Sequence, residues 1–166
     1  MEEKGIEKDF TAISVCLAEI LNNCFDHANS VTGVIAHAQY FRVNNTIWLA
    51  ICDTGIGLPS CVNNYLASKG RVKITSGEAV RWAFTNANTT KSTPRNRGLG
   101  LNTLLDQTEF HGGALRMITH DKWVLNNERI KLRMRDTRHF FGTAIEMEIN
   151  INNLDPIELV DFNYNE

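Results

Sequence analysis

The chain has 166 residues, 43% of them hydrophobic and 22% charged, with a formal net charge of −2. This is the size and composition of one soluble globular domain with a sizeable core, and the charge gives no global drive toward nucleic acid or an anionic membrane. The apolar run Ile47 to Cys52 is far short of a membrane span, Met1-Glu-Glu-Lys lacks a signal peptide's apolar region, and Cys16, Cys24, Cys52 and Cys61 contain no Cys-x-x-Cys pair, so a cytoplasmic protein with reduced core cysteines is expected.

In chain order, Phe10, Ile13, Leu17, Ile20, Leu21, Cys24 and Ala28 follow helical spacing and predict an amphipathic helix over Lys8 to Ala28. His37 to Val43 and Thr46 to Cys52 read as strands joined by an Asn44-Asn45 turn. Asp53 to Leu58 is a glycine-punctuated loop. Thr75-Ser-Gly-Glu78 opens a helix through Ala83. Asn86 to Gly98, rich in Asn, Thr, Ser and Arg, predicts a mobile loop. Leu99 to His111 returns to helix, closed by Gly112-Gly113. Ala114 to Thr119, Lys122 to Leu125, Arg129 to Met134 and Thr143 to Ile149 read as strands. Helices and an antiparallel-leaning sheet in this order predict a two-layer α/β sandwich. The acidic tail Asp155 to Glu166 reads as a short helix, a linker or a frayed end.

Several groups of residues carry chemistry. On the first helix, with Leu17 centred on the apolar stripe and about 100° per residue, Glu19, Asn22 and Asp26 fall on the opposite side, with Asn23 and His27 beside them. Such a stripe is either a solvated face or the lining of a pocket. Asp53-Thr-Gly55-Ile-Gly57 places a carboxylate at a strand end, where it can accept a hydrogen bond from an exocyclic amine, or is a simple turn. It lacks the third glycine of a dinucleotide fingerprint, and the chain has no Gly-x-x-x-x-Gly-Lys-Ser/Thr phosphate loop. Arg97-Gly98-Leu99-Gly100-Leu101 precedes a helix, where free N–H groups and glycines make a phosphate site or a plain junction. Between Lys69 and Arg97 stand seven basic residues against one acid, Glu78, as in a lid whose cations meet phosphates, a solvated loop or a nucleic-acid patch. Gly142-Thr143 opens the last strand. His37, His111, His120 and His139 share no ligand spacing and read as surface or packing residues, Trp48, Trp82 and Trp123 read as core or rim packing, and Phe140-Phe141 is expected to pack.

Taken in order, Glu19…Asn23…His27, Asp53-x-Gly55-x-Gly57, Arg97-Gly98-Leu99-Gly100-Leu101 and Gly142-Thr143 resemble the N box, the glycine boxes and the late Gly-Thr of the GHKL ATPase superfamily, over roughly Thr11 to Ile149. The resemblance implies a Bergerat-type fold, with helices on one face of a mixed, mostly antiparallel sheet. It implies a domain over 1–154 with a lid at about 69–98 and a tail over 155–166, and it implies ATP bound with Mg²⁺. Asn23 would hold Mg²⁺ through its amide oxygen, which suits a hard cation. Glu19 would activate the attacking hydroxyl or water. Asp26 and His27 would face phosphates, although Asp26 stands where histidine kinases commonly carry a basic residue. Asp53 would accept from adenine N6, Gly55 and Gly57 would let the backbone approach the base, and Thr143 would join that network. Arg97 to Leu101, with Arg95 and Lys91 as further candidates, would cover the phosphates.

The compact form most resembles histidine-kinase-like ATPases and anti-sigma-factor serine kinases. An ATP-dependent protein kinase or ATPase is therefore the leading expectation, acting on a protein hydroxyl and serving signal transduction. An ATP-gated protein-binding module, with the loop Asn86 to Gly98 as its switch, is the alternative. Homodimerisation is open. Nucleic-acid binding through the basic lid and Arg129, Lys131, Arg133, Arg135 and Arg138 ranks last, because alternation along a strand is a common exposed-face pattern.

Overall fold

The computed structural model describes residues 8–27, 30, 32–85, 100–127 and 129–157, apart from the side chains at positions 16, 19, 23, 26, 27 and 100. The first helix, α1, spans Thr11–His27. It starts later than the predicted Lys8, since Asp9 Oδ1 accepts the Thr11 N–H at 2.7 Å and the Phe10 carbonyl accepts the Ser14 N–H at 2.8 Å. Lys8 instead forms an antiparallel bridge with Pro156, and its ammonium donates to the Leu154 carbonyl at 2.7 Å. The first residues of the expected tail are thus tied to the N-terminal arm; 158–166 lie outside the described residues.

Strands β1 (Val34–Phe41) and β2 (Thr46–Asp53) form a hairpin. β1 begins and ends ahead of the predicted His37 to Val43, because the turn begins at Arg42 and closes at Asn45, whose φ of 50° suits an asparagine. A helix absent from the sequence expectations, α2, follows at Leu58–Ser68. Pro59 stands in its first turn and it buries Pro59, Val62 and Leu66. Helix α3, Ser76–Ala83, starts at the expected place with a capping box between Thr75 and Glu78. Helix α4 covers Gly100–Phe110. Strands β3 (Ala114–Asn127) and β4 (Ile130–Asn150) then make one long hairpin. The four shorter strands expected here are halves of these two, joined through register shifts around His120.

The sheet has the order β1-β2-β4-β3. The expected, mostly antiparallel sheet is antiparallel in every described pairing, with no parallel member among them. The helical connection leaves β2 and returns to β3 one position further over. β4 fills the gap antiparallel to both, so the parallel pair β2 and β3 never touch. The helices lie on one face, in the expected two-layer sandwich. Ile13, Ile20, Val80 and Leu104 pack there against Ile51, Leu115, Met117, Ile145, Met147 and Ile149, and Val62, Leu66 and Ala79 form a smaller cluster between α2 and α3. On the other face, Arg116 pairs with Glu146 and Glu148, its guanidinium 5.3 Å from the Trp48 ring centroid. Phe141, expected to pack, is 75% exposed; it projects past the register shifts of β4, with the His139 ring at its edge. No helix among the described residues is long and apolar enough to cross a membrane.

The seam between β2 and β4 has no slack. Gly142, at φ +99°, lies so close that an added Cβ would sit 2.0 Å from the Asp53 carbonyl oxygen. Gly142→Ala should therefore cost about 3 kcal/mol and lower the melting temperature by roughly 6–12 °C. Thermal unfolding followed by circular dichroism checks this, and an unchanged midpoint would contradict the packing described.

Candidate functional site

Asp53 ends β2 and is 3% exposed. A carboxylate so placed needs donors. Oδ1 accepts the Gly55 N–H at 2.8 Å, and Oδ2 faces the Cys24 thiol of α1 at 3.7 Å. Sulfur is a weak donor, so Oδ2 keeps most of its capacity to accept from a better one. Thr143 lies directly opposite Asp53 in the β2–β4 register.

The Thr143 hydroxyl bonds elsewhere among the described residues. Leu58, the first residue of α2, donates its N–H to both Thr119 Oγ1 and Thr143 Oγ1, at 3.1 Å each. Thr119 in turn donates to the Gly142 carbonyl at 3.0 Å, which leaves Thr143 to donate to Thr119 across 3.1 Å. The N-cap residue of α2 is Gly57, which has no side chain to offer. Two sheet threonines take over the capping that Ser or Asp performs in most helices. Gly57 is needed because its φ is +75° and a Cβ would lie 2.6 Å from His120 Cδ2.

His120 is the residue here that sequence reasoning missed. Its Nε2 stands 2.8 Å from the Ile56 carbonyl and 3.0 Å from Ser60 Oγ. A carbonyl only accepts, so Nε2 carries the proton, and the imidazole holds the glycine loop from above. Reading histidines for mutual metal-ligand spacing could not find a bond between positions 64 apart. Among the described residues, no three His, Cys, Asp or Glu side chains come together to hold a metal.

The thiols of Cys24, Cys52 and Cys61 lie around this carboxylate. Burial first, then the negative charge of Asp53, pushes Cys24 up to about 12 and Cys61 up to about 11. The same causes raise Cys52. These thiols stay protonated at neutral pH and are poor nucleophiles.

The other expected site residues fall as follows. Positions 19, 23, 26 and 27 all lie on α1, and Cys24 brings the last turns of that helix against Asp53. The side chains of Glu19, Asn23, Asp26 and His27 themselves lie outside the described part of the structure. Gly100 is the first residue of α4, and Leu101 packs half-buried against the core. Arg97, Gly98 and Leu99 lie outside the described residues, as do Lys91 and Arg95. Within the expected lid, residues 69–85 are described and include α3. A separate cleft of about 250 Å³, lined by Asp9, Ala12, Gln107, Phe110, His111 and Asp155, includes none of the expected site residues.

No family model matches the chain, and no curated protein matches it. Among solved structures, it is similar to the ATPase region of Saccharomyces cerevisiae topoisomerase II, with 11% identity and a TM-score of 0.43, over 85% of this chain and 37% of that one. The chain thus spans little more than a third of that structure's length.

A thiol whose pKa is higher in the folded state holds its proton more tightly there. The stability this contributes is complete below an unfolded value near 9.0 and is lost as the pH climbs toward about 12. The melting temperature should therefore fall more steeply between pH 9 and 11 for the wild type than for Cys24→Ser, which has no thiol at this position to ionise. Parallel slopes in a pH series of thermal melts would contradict the burial of this thiol against Asp53.

Proposed function

We propose that this chain is an ATP-binding domain of the GHKL type, taking ATP with Mg²⁺ beside Asp53. The observation that carries the reading is the buried Asp53 carboxylate, fixed by the Gly55 amide on one oxygen and met, among the described residues, by a thiol on the other. An exocyclic amine is a stronger donor for Oδ2 than sulfur. Adenine offers one; guanine presents a carbonyl at that edge, which a carboxylate repels. Gly55 and Gly57 keep the approach to the base narrow and free of side chains, and Thr143, Thr119 and His120 hold that loop in place.

In this reading the domain runs over 1–154 and the lid over about 69–98. Asn23 and Glu19 share one helix face, four residues apart and so about one turn. Asn23 is the ligand for Mg²⁺, with Asp26 and His27 toward the phosphates. When bound, the cation neutralises phosphate charge. Glu19 takes the proton from an attacking protein hydroxyl or water. The first N–H groups of α4, at Gly100 and Leu101, face the phosphates together with Gly98, Leu99 and Arg97. Transfer to a protein, in a regulatory kinase, is the favoured activity, since the resemblance makes Glu19 the base and a pure binding module needs none. The second reading, an ATP-gated protein-binding module, needs the lid and no base.

Thermal unfolding tests the site. Ligand at a hundredfold excess over its Kd stabilises by about 2.7 kcal/mol, so ATP with Mg²⁺ should raise the melting temperature by roughly 5–11 °C. GTP should not, and the shift should shrink with chelator, in Asn23→Ala and in Asp53→Asn. Equal shifts with ATP and GTP, or none with either, would overturn the reading. Glu19→Ala should keep the shift and lose turnover in a phosphate-release assay. An active Glu19→Ala protein would remove it from the chemistry.

A further inference from the structure

The β3–β4 hairpin carries a group of cations that the proposed nucleotide site does not use. From Arg129 to Arg138, ten residues hold five cations and one acid, in a chain whose net charge is −2. The acid, Asp136, is engaged by Lys122 at 2.6 Å. Arg129, Lys131, Arg133, Arg135 and Arg138 are all exposed, and none is in an ion pair among the described residues. The rest of the same sheet behaves differently, for Arg116 is paired with two carboxylates and Lys122 with two more.

The register arranges these cations. Arg133 and Arg135 alternate along β4 and so share one face, about 6.6 Å apart; the exposed Lys131 precedes them across a register shift at Leu132, whose φ is 34°. The inner positions between them, Leu132 and Met134, pack against the core and turn the cations outward. Across the ladder, Leu125 pairs with Arg133 and Trp123 with Arg135, and the Arg135 guanidinium lies 5.7 Å from the Trp123 ring centroid. The sequence alone reads such alternation as a solvated face. The structure adds that the cations form no ion pair among the described residues, and that Arg133 and Arg135 share a face beside a half-buried tryptophan.

We infer that the outer face of the β3–β4 hairpin binds single-stranded nucleic acid. Phosphates lie along Lys131, Arg133 and Arg135, and a base stacks at Trp123. Exposed cations beside an aromatic platform fit an extended strand, whose bases are free to stack. A duplex offers the platform no base face, and an acidic peptide makes no use of the aromatic platform.

The test is fluorescence anisotropy of a labelled oligothymidylate about 16 nucleotides long, titrated with the full chain at stepped salt concentrations. Affinity should fall with salt. Lys131→Ala, Arg133→Ala and Arg135→Ala together should flatten the log–log slope by about 2, at about 0.7 for each phosphate no longer neutralised. Each change alone should flatten it by about 0.7, which keeps the test valid if the triple variant is poorly folded. Trp123→Leu should weaken binding about tenfold with the slope unchanged. The ATP-dependent melting shift is measured on the same variants and should be unaltered. No binding at the lowest salt, a slope indifferent to the substitutions, or tighter binding of a duplex of equal length or of polyglutamate would overturn the assignment.

Discussion

The close approach of Gly142 to the Asp53 backbone is the constraint on which the rest of this structure depends. Because position 142 has no side chain, β4 lies tight against the end of β2 and sets Thr143 opposite Asp53. That same seam delivers Thr143 and Thr119 to the first N–H of α2, closing a helix whose own cap residue has nothing to give. Asp53 is left buried with its oxygens facing the glycine loop and α1. A carboxylate in such a place is costly unless it has fixed donors, and among the described residues these are the Gly55 amide and the Cys24 thiol rather than a counter-charge.

Much of this was legible in the sequence, for physical reasons that can be named. The 3.6 period of Ile13, Leu17 and Ile20 marked α1, and Thr75 with Glu78 marked the start of α3 through a capping box that the structure contains. The two-layer arrangement followed from the order of elements. Asp53 at a strand end and Gly142-Thr143 at a strand start were visible as positions, although only the β2–β4 register makes them neighbours. Helix α2 was missed even though Leu58, Val62 and Leu66 recur every four residues around Pro59. The glycines before them read as loop, and the stretch is short. His120 and Thr119 gave no signal, because their work is a hydrogen bond to a distant backbone group. A parallel member is missing from the described sheet because β4, last in the chain, inserts between strands that the helical connection would otherwise have set side by side.

The two halves of the sheet differ in how they handle charge. Near β2 the cations are neutralised at home, with Arg116 lying between two glutamates and over Trp48. Further along the β3–β4 hairpin Lys122 is paired as well, but Arg133 and Arg135 form no ion pair among the described residues, and their field is left to the solvent or to a partner. The buried acid's neighbour Thr143 and the outward cations are thus carried by one continuous strand, β4, whose register shifts near His120 separate the two regimes.

The strand order also governs how the protein comes together. β1 with β2, and β3 with β4, are hairpins that close over short turns. The ladder that unites them joins Asp53 to Thr143, across most of the chain and all of the intervening helices. Closing so long a loop is the entropically expensive step, and it is the step that creates the environment of Asp53. A partly folded chain can therefore hold both hairpins and still have no site. The carboxylate acquires its surroundings only when the last seam zips, so a ligand gripping it reports on the whole topology and rewards its completion.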